Sequence, residues 1–270
     1  MKVELSVIIV NYNGQIYFKD CLDSLYSKLE GISFEIIVFD NNSSDNSCLF
    51  IKENYPQVIL IESKVNHGFG KGNNEAVKYA KGEFLLLINN DTIVLDNLLP
   101  VLNHIKSNAN IGVIGINMLN KERKYIPAAG VFPNFNNMFL MKKLLQIDEE
   151  FVNGNFSKSS YNVDWLGGSF LLLTKTLYDE INGFDEDYFM YVEDVDFCKK
   201  IANKGHLRVF LPNYSYIHFV GFTKSKNPML IKGYELYISK HFNGLEKLKV
   251  MTALKINKLV KKIKSSLNLD

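Results

Sequence analysis

Three aspartates occupy places where a charge is costly unless something answers it. Asp91 follows Phe84–Ile88, apolar at every residue, by way of Asn89 and Asn90. Asp40 follows the apolar run Ile36–Phe39, and Asp194 stands with Glu193 and Asp196 behind the aromatic run Tyr188-Phe189-Met190-Tyr191. A lone carboxylate at a strand end is the oxygen ligand a hard divalent cation needs when phosphates supply the rest, or else a cap for the next segment. Asp40 either accepts from a base or ribose or closes an Asx turn with Asn42 or Ser43. An Asp at the rim of an apolar pocket can take a proton from an attacking hydroxyl, although acidic residues also favour the first turn of any helix. The stretch Gly68–Gly72 with Lys71 offers backbone N–H groups and a cation to a diphosphate. Its spacing matches neither the dinucleotide fingerprint nor the P-loop. His218, in a Tyr- and Phe-rich setting before Gly221, stands apart from His67, His104, His206 and His241, which read as structural.

The elements that must position these residues alternate along the chain. Leu5–Val10 reads as a strand that stops at Asn11-Tyr12-Asn13-Gly14, and Phe18, Leu22, Leu25 and Leu29 mark a helix. Glu35–Phe39, Val58–Ile61 and Phe84–Ile88 read as further strands, and Asn73 and Asn74 offer an N-cap to a helix through Ala80. Strands alternating with helices imply right-handed crossovers and a mainly parallel sheet, with the ligand crevice beyond the carboxyl ends of its strands. The polar clusters Asn11–Gly14, Asp40–Asp45 and Asn89–Asp91 therefore fall on one rim. Later, Trp165–Thr174 is apolar, with Gly167 and Gly168 allowing close backbone approach. Tyr188–Ala202 reads as helical and Leu207–Leu211 as a strand ended by Pro212, before a lysine-rich helical tail.

The 270 residues are 47% hydrophobic, enough for a large core, and 31 basic against 29 acidic groups leave a net charge of +2. That balance excludes a protein that coats nucleic acid through bulk charge. It is uneven, however. Residues 228–270 carry nine lysines against Glu235, Glu246 and Asp270, leaving 22 basic and 26 acidic groups in the rest. Within the tail Leu245, Leu248, Ile256, Leu259, Ile263 and Leu267 repeat near helical spacing, with most lysines on other faces. Such a helix lies on an anionic membrane surface, or packs against the body or a second subunit. No run approaches the roughly 18 apolar residues needed to span a bilayer, and no secretory signal is visible. Cys21, Cys48 and Cys198 match no metal or redox spacing and read as reduced, buried thiols of a cytosolic protein.

Four stretches, Ser6–Gly14, Val38–Asp45, Asn66–Asn74 with Leu87–Asp91, and Gly183–Cys198, together resemble the family 2 glycosyltransferases of the GT-A fold, especially their bacterial rhamnosyltransferase-like branch. The likeness covers roughly residues 4 to 222. It implies an α/β fold with a mainly parallel Rossmann-like sheet flanked by helices. The catalytic domain would be residues 1–227, holding the nucleotide in about 1–115 and the acceptor in about 116–227, with residues 228–270 as a basic amphipathic tail. By the resemblance, Asp40 contacts the nucleotide base, with Asn11, Lys71, Asn73 and Asn90 around the nucleotide. Asp91 ends a DxD-type motif that holds Mg²⁺ or Mn²⁺, with Asn89 at the motif's first position, and His218 adds a metal ligand. Asp194 is the general base, while Trp165, Gly167, Gly168 and Glu193 line the donor sugar and acceptor. The implied activity is inverting sugar transfer from a nucleoside-diphosphate sugar (a UDP- or dTDP-sugar) to a glycan or lipid-linked glycan of the bacterial surface: capsule, O-antigen or cell wall. The implied location is the cytoplasm or the inner face of its membrane.

Two other classes compete. A sugar-phosphate nucleotidyltransferase carries a Gly-rich, cationic loop directly after its first strand, where this chain has Asn11-Tyr12-Asn13-Gly14. A non-catalytic carbohydrate-binding protein has no need of Asp40, Asp91 and Asp194 together.

Overall fold

The alternation written in the first hundred residues is the alternation in space. The structure is a computed structural model that describes residues 2–219 and 227–266. Its first half runs β1 (Leu5–Asn11), α1 (Gln15–Lys28), β2 (Phe34–Asp40), α2 (Ser47–Asn54), β3 (Ile59–Glu62), α3 (Phe69–Val77), β4 (Phe84–Ile88), β5 (Thr92–Val94), α4 (Leu99–Lys106) and β6 (Ile111–Leu119). An irregular middle follows: β7 (Ala129–Gly130), α5 (Phe135–Met138), a 3₁₀ turn at Met141–Leu145, α6 (Glu149–Asn153), β8 (Tyr161–Asn162) and β9 (Trp165–Leu166). Then come β10 (Phe170–Thr174), α7 (Lys175–Glu180), α8 (Glu193–Asn203), β11 (Leu207–His218), α9 (Asn227–His241) and α10 (Gly244–Ser266).

One mixed sheet of nine strands orders them β3-β2-β1-β4-β10-β6-β11-β5, with β8 beside β11. β1 to β4 are parallel to one another, as the crossovers require. β10 enters antiparallel between β4 and β6. That reversal matters for the site, because it brings the approach to β10 alongside the exit of β4. Alternate residues of the central strands feed two separate cores. Leu5, Val7 and Ile9 pack with Phe18, Leu22 and Leu25 of α1, while Ile8 packs with Ile37, Leu85 and Leu87 on the other face. Burying each such side chain contributes about 1.5–3 kcal/mol.

Three local expectations change. The helix after the Gly-rich loop starts at Phe69 with Gly68 as its N-cap, so Asn73 and Asn74 lie inside it instead of capping it. Tyr188–Val192 is not helical, and α8 begins only at Glu193. β11 continues through Pro212 to His218, with a register shift between Leu211 and Ser215 that absorbs the missing proline N–H. The apolar stretch Trp165–Thr174 holds two strands, Trp165–Leu166 pairing with β7 and Phe170–Thr174 joining the main sheet.

The tail packs on the body, though not by the stripe that periodicity picks out. Val250, Ala253, Leu254 and Asn257 are buried, and Asn257 Nδ2 donates to the Phe139 carbonyl at 2.6 Å. Leu245, Leu248, Ile256, Leu259 and Ile263 face solvent, Leu245 being 77% exposed. Gly221 and Leu267 lie outside the described residues. No helix among the described residues is long and apolar enough to cross a membrane. The three cysteines are free, and burial pushes the thiols of Cys21 and Cys198 up to about 12, which leaves them unreactive at neutral pH.

Candidate active site

β1 and β2 are parallel and in register, so their carboxyl ends place Asn11 opposite Asp40. Asn11 is fully buried there, and its Nδ2 donates to Asp40 Oδ1 at 2.7 Å and to Ser43 Oγ at 3.0 Å. Its Oδ1 accepts from Asn90 Nδ2 at 2.6 Å, which ties in the end of β4. Asp40 Oδ2 accepts the Ser43 N–H at 2.8 Å, so the turn reading of Asp40 is realised while its carboxylate stays on the rim. Asn13 and Asn42 take left-handed backbones, φ 53 and 64, which a short amide side chain tolerates.

Asp91, 8% exposed, sits just beyond this cluster. Its Oδ1 lies 3.1 Å from His218 Nε2, which is also 3.2 Å from Asn89 Nδ2. His218 reaches this point because β11 runs on past Pro212 and pairs with β5, with His218 opposite Thr92. A carboxylate oxygen and an imidazole nitrogen thus converge on one spot, two of the ligand types that divalent cations take. No group of three or more His, Cys, Asp or Glu able to hold a metal occurs among the described residues. A cation on Asp91 and His218 would therefore complete its shell with diphosphate oxygens and water.

The first turn of α8 brings the remaining carboxylates. Asp194 is half-buried, and its Oδ2 accepts the Gly168 N–H at 3.0 Å and its Oδ1 the Val195 N–H at 2.8 Å. Burial raises its carboxyl above the usual range, partly offset by those two N–H donors, which favour the charged form. Glu193 is buried, and burial first, then the charge of Asp194, pushes its carboxyl up to about 8. Its Oε2 has no hydrogen-bond partner among the described residues. The approach to β10 joins this turn to the rim: Gly168 donates to Asp194, and the Asn89 N–H donates to the Ser169 carbonyl at 3.3 Å. Asp194, its carboxyl raised by burial, is thus connected through Gly168, Ser169 and Asn89 to the end of β4, which also carries Asp91.

The family described as glycosyl transferase family 2 matches residues 6–164, more than half of the chain. The chain belongs to glycosyl transferase family 2. Rhamnosyltransferase WbbL of Escherichia coli (strain K12) is 27% identical over 259 residues, which are 91% of this chain and 94% of WbbL. An N-acetylglucosaminyl-diphospho-decaprenol L-rhamnosyltransferase of Mycobacterium tuberculosis (strain ATCC 25618 / H37Rv) is 24% identical over 242 residues, 83% of this chain and 78% of that protein. Among solved structures, S. aureus TarS 1–349 in complex with UDP has a TM-score of 0.62 at 19% identity, covering 93% of this chain and 70% of that one. The mannosyltransferase PcManGT of Pyrobaculum calidifontis, in complex with GDP-Man and Mn²⁺, has a TM-score of 0.63 at 16% identity, covering 98% and 76%. These two likenesses carry the fold, and the expected GT-A architecture is the one observed.

In this family 2 glycosyltransferase, contacts gather Asn11, Asp40 and Asn90 into one network, Asp91 with His218 into a second, and Gly168 with Asp194 into a third. Three expected residues have other partners. Lys71 pairs with Glu186 at 3.0 Å, and Asn73 is buried with Nδ2 donating to the Phe69 carbonyl of its own helix. Trp165 is only 8% exposed, its indole N–H donating to the Val131 carbonyl, so its ring belongs to the core. The Gly-rich loop closes on the segment before α8: the Phe69 N–H donates to the Phe189 carbonyl at 3.0 Å. A Cβ at Gly68, φ 77, would stand 2.2 Å from that same oxygen. Gly167 donates to the Ala128 carbonyl at 2.7 Å. Ser43 entered the sequence reading only as a turn partner of Asp40, and Ser169 not at all, because serine is common in any turn; only the fold shows that one anchors Asn11 and the other bridges to Asn89.

Proposed function

We propose that the protein is an inverting, divalent-cation-assisted glycosyltransferase that moves a sugar from a nucleoside-diphosphate sugar to a glycan hydroxyl in the synthesis of a bacterial surface polysaccharide. The observation that carries this reading is the chain of contacts from the Asn11–Asp40 rim through Asn89 and Ser169 to Gly168 and Asp194. Asp40 and Asn11 hold the base and ribose, with Asn90 beside them. Asp91 and His218 would hold Mg²⁺ or Mn²⁺, which when bound supplies positive charge against the diphosphate. Asp194 Oδ2 takes the proton of the acceptor hydroxyl as its oxygen attacks the anomeric carbon. The bond to the diphosphate breaks on the opposite face, so the anomeric centre inverts. Glu193 and the Gly167–Gly168 backbone flank the reacting sugar.

UDP in TarS supports a UDP-sugar donor, and the rhamnosyltransferase relatives support a deoxyhexose as the sugar moved. The lipid-linked acceptor named for the mycobacterial relative supports a similar acceptor at the cytoplasmic face of the membrane. The solvent-facing Leu245, Leu248, Ile256, Leu259 and Ile263, with lysines beside them, support peripheral contact with an anionic bilayer over pairing with a second copy. A panel of UDP-, dTDP- and GDP-sugars with Mn²⁺ tests the whole, read as nucleoside diphosphate release with acceptor in solution or in anionic vesicles. One donor is consumed in an acceptor-dependent way, faster on vesicles. Pyrophosphate from NTP plus sugar 1-phosphate would move the protein to the nucleotidyltransferases, and equal rates with and without vesicles would remove the membrane contact.

A further inference from the structure

Tyr191 and Val192 take consecutive left-handed backbones, φ 72 and φ 73, immediately before Glu193 and Asp194. Neither is glycine, and a β-branched valine is among the residues least suited to that conformation. Strain of this kind persists only where the surroundings over-determine it. Here the surroundings include α9.

Gly233 of α9 lies against the strained turn so closely that a Cβ there would stand 2.6 Å from the Tyr191 carbonyl oxygen and 2.7 Å from Val192 Cγ2. Val192 shares one core with Ile231, Tyr234, Tyr237 and Ile238 of the same helix. Two turns further along, the helix grips both flanks of the segment. Lys240 Nζ is 2.6 Å from Asp185 and 2.6 Å from Asp187, ahead of the turn. His241 Nε2 is 2.6 Å from Asp196 Oδ1, behind it in the first turn of α8. Gly233, Tyr237, Lys240 and His241 recur at i, i+4, i+7 and i+8, so one face of α9 makes all these contacts.

We infer that α9 is a working part of the active site, with Gly233, Lys240 and His241 as positioning residues that hold Tyr191–Val192 left-handed and so aim the Asp194 carboxylate. The inference rests on the reading of Asp194 as the base. Packing that merely stabilised the fold would raise the melting temperature without regard to where a carboxylate points. α9 instead meets the two residues whose backbone sets the start of α8, and its ion pairs bracket them.

The test is Gly233→Ala in the full chain, beside Met229→Ala on a solvent-facing position of the same helix. Turnover, donor KM, nucleoside diphosphate affinity and melting temperature are measured for each. Displacing a reacting group by ~1 Å costs on the order of a hundredfold in rate, so Gly233→Ala lowers turnover about ten- to a hundredfold. Donor KM and nucleotide affinity stay within about twofold, as expected when only the chemical step is damaged. Met229→Ala keeps full turnover. Full turnover in Gly233→Ala beside an inactive Asp194→Asn overturns the inference and leaves the base reading intact. Turnover retained in Asp194→Asn fails the base reading itself. A parallel loss of turnover and nucleotide affinity in Gly233→Ala assigns α9 to folding alone. If Gly233→Ala yields no soluble protein, Lys240→Met, whose ion pairs are partly exposed, decides: lower turnover at unchanged nucleotide affinity supports the inference, and unchanged turnover overturns it.

Discussion

Asn11, at the end of the apolar strand β1, and Glu193, at the start of α8, are both buried polar side chains, and the protein treats them in opposite ways. Asn11 is bonded to Asp40, Ser43 and Asn90. Glu193 Oε2 and Asp196 Oδ2 are buried with no hydrogen-bond partner among the described residues. The backbones differ in the same sense. Left-handed residues at the proposed nucleotide rim are asparagines, which bear that conformation cheaply, whereas those in the turn before Asp194 are Tyr191 and Val192. The rim is thus fully hydrogen-bonded without a ligand, as the rigid cradle proposed for a nucleotide requires. At the catalytic turn, strain and unmet hydrogen-bonding demand collect beside the group proposed to move a proton, and the cost is carried by contacts elsewhere in the fold.

If the two regions are separable in this way, damage to one leaves the other working. The largest expected effect is at the turn: Asp194→Asn lowers turnover about a hundredfold or more by removing the proton acceptor. It leaves nucleoside diphosphate affinity unchanged by isothermal titration; loss of affinity in this variant would break the division. A smaller, complementary effect is expected at the rim. Asp91→Ala removes the metal-dependent gain in nucleotide affinity, by at least the roughly tenfold that losing even a supporting partner of a metal site costs. Titration with and without Mn²⁺ reads it directly, and an unchanged metal dependence would take the cation away from Asp91.

The same contrast explains what could be read from the sequence. β1, β2 and β4 are apolar runs stopped by Asn, Asp and Gly, so both the strands and the rim announce themselves locally. Nothing within Tyr188–Val192 breaks a helix. The left-handed turn is met by Gly233, some forty residues on, and an aromatic run beside an acidic cluster continues a helical pattern on paper. His241 looked structural, and its partner is indeed a buried carboxylate, but only the fold shows that this carboxylate belongs to the turn carrying Asp194. Gly68 suggested a phosphate cradle, whereas its missing Cβ makes room for the Phe189 carbonyl. In α10 periodicity found an apolar stripe correctly, yet two faces were available, and the one holding Val250, Ala253 and Leu254 docks on the body. Local chemistry was legible; contacts made across a hundred residues were not.

The smallest expected effect is on stability, and it examines the unmet demand itself. In the folded chain burial, helped by the charge of Asp194, raises the Glu193 carboxyl to about 8, against 4.5 for the free side chain. Between those values the folded protein keeps a proton that the unfolded chain gives up, so stability falls as pH rises through the interval. The favourable contribution is fully present below about 4.5 and is lost as pH climbs toward 8. Glutamine at this position has the same shape and no proton to lose. Glu193→Gln therefore melts less steeply with pH than the natural protein between about pH 5 and 8, and the two midpoints separate by a few degrees at the alkaline end, the scale of about 1 kcal/mol in a domain of this size. The difference between the two proteins reports the Glu193–Asp194 pair, because these two carboxyls act on each other and every other titrating residue is common to both. Parallel slopes would mean that Glu193 is ionised and satisfied in the folded chain, and the catalytic turn would then be as complete as the rim.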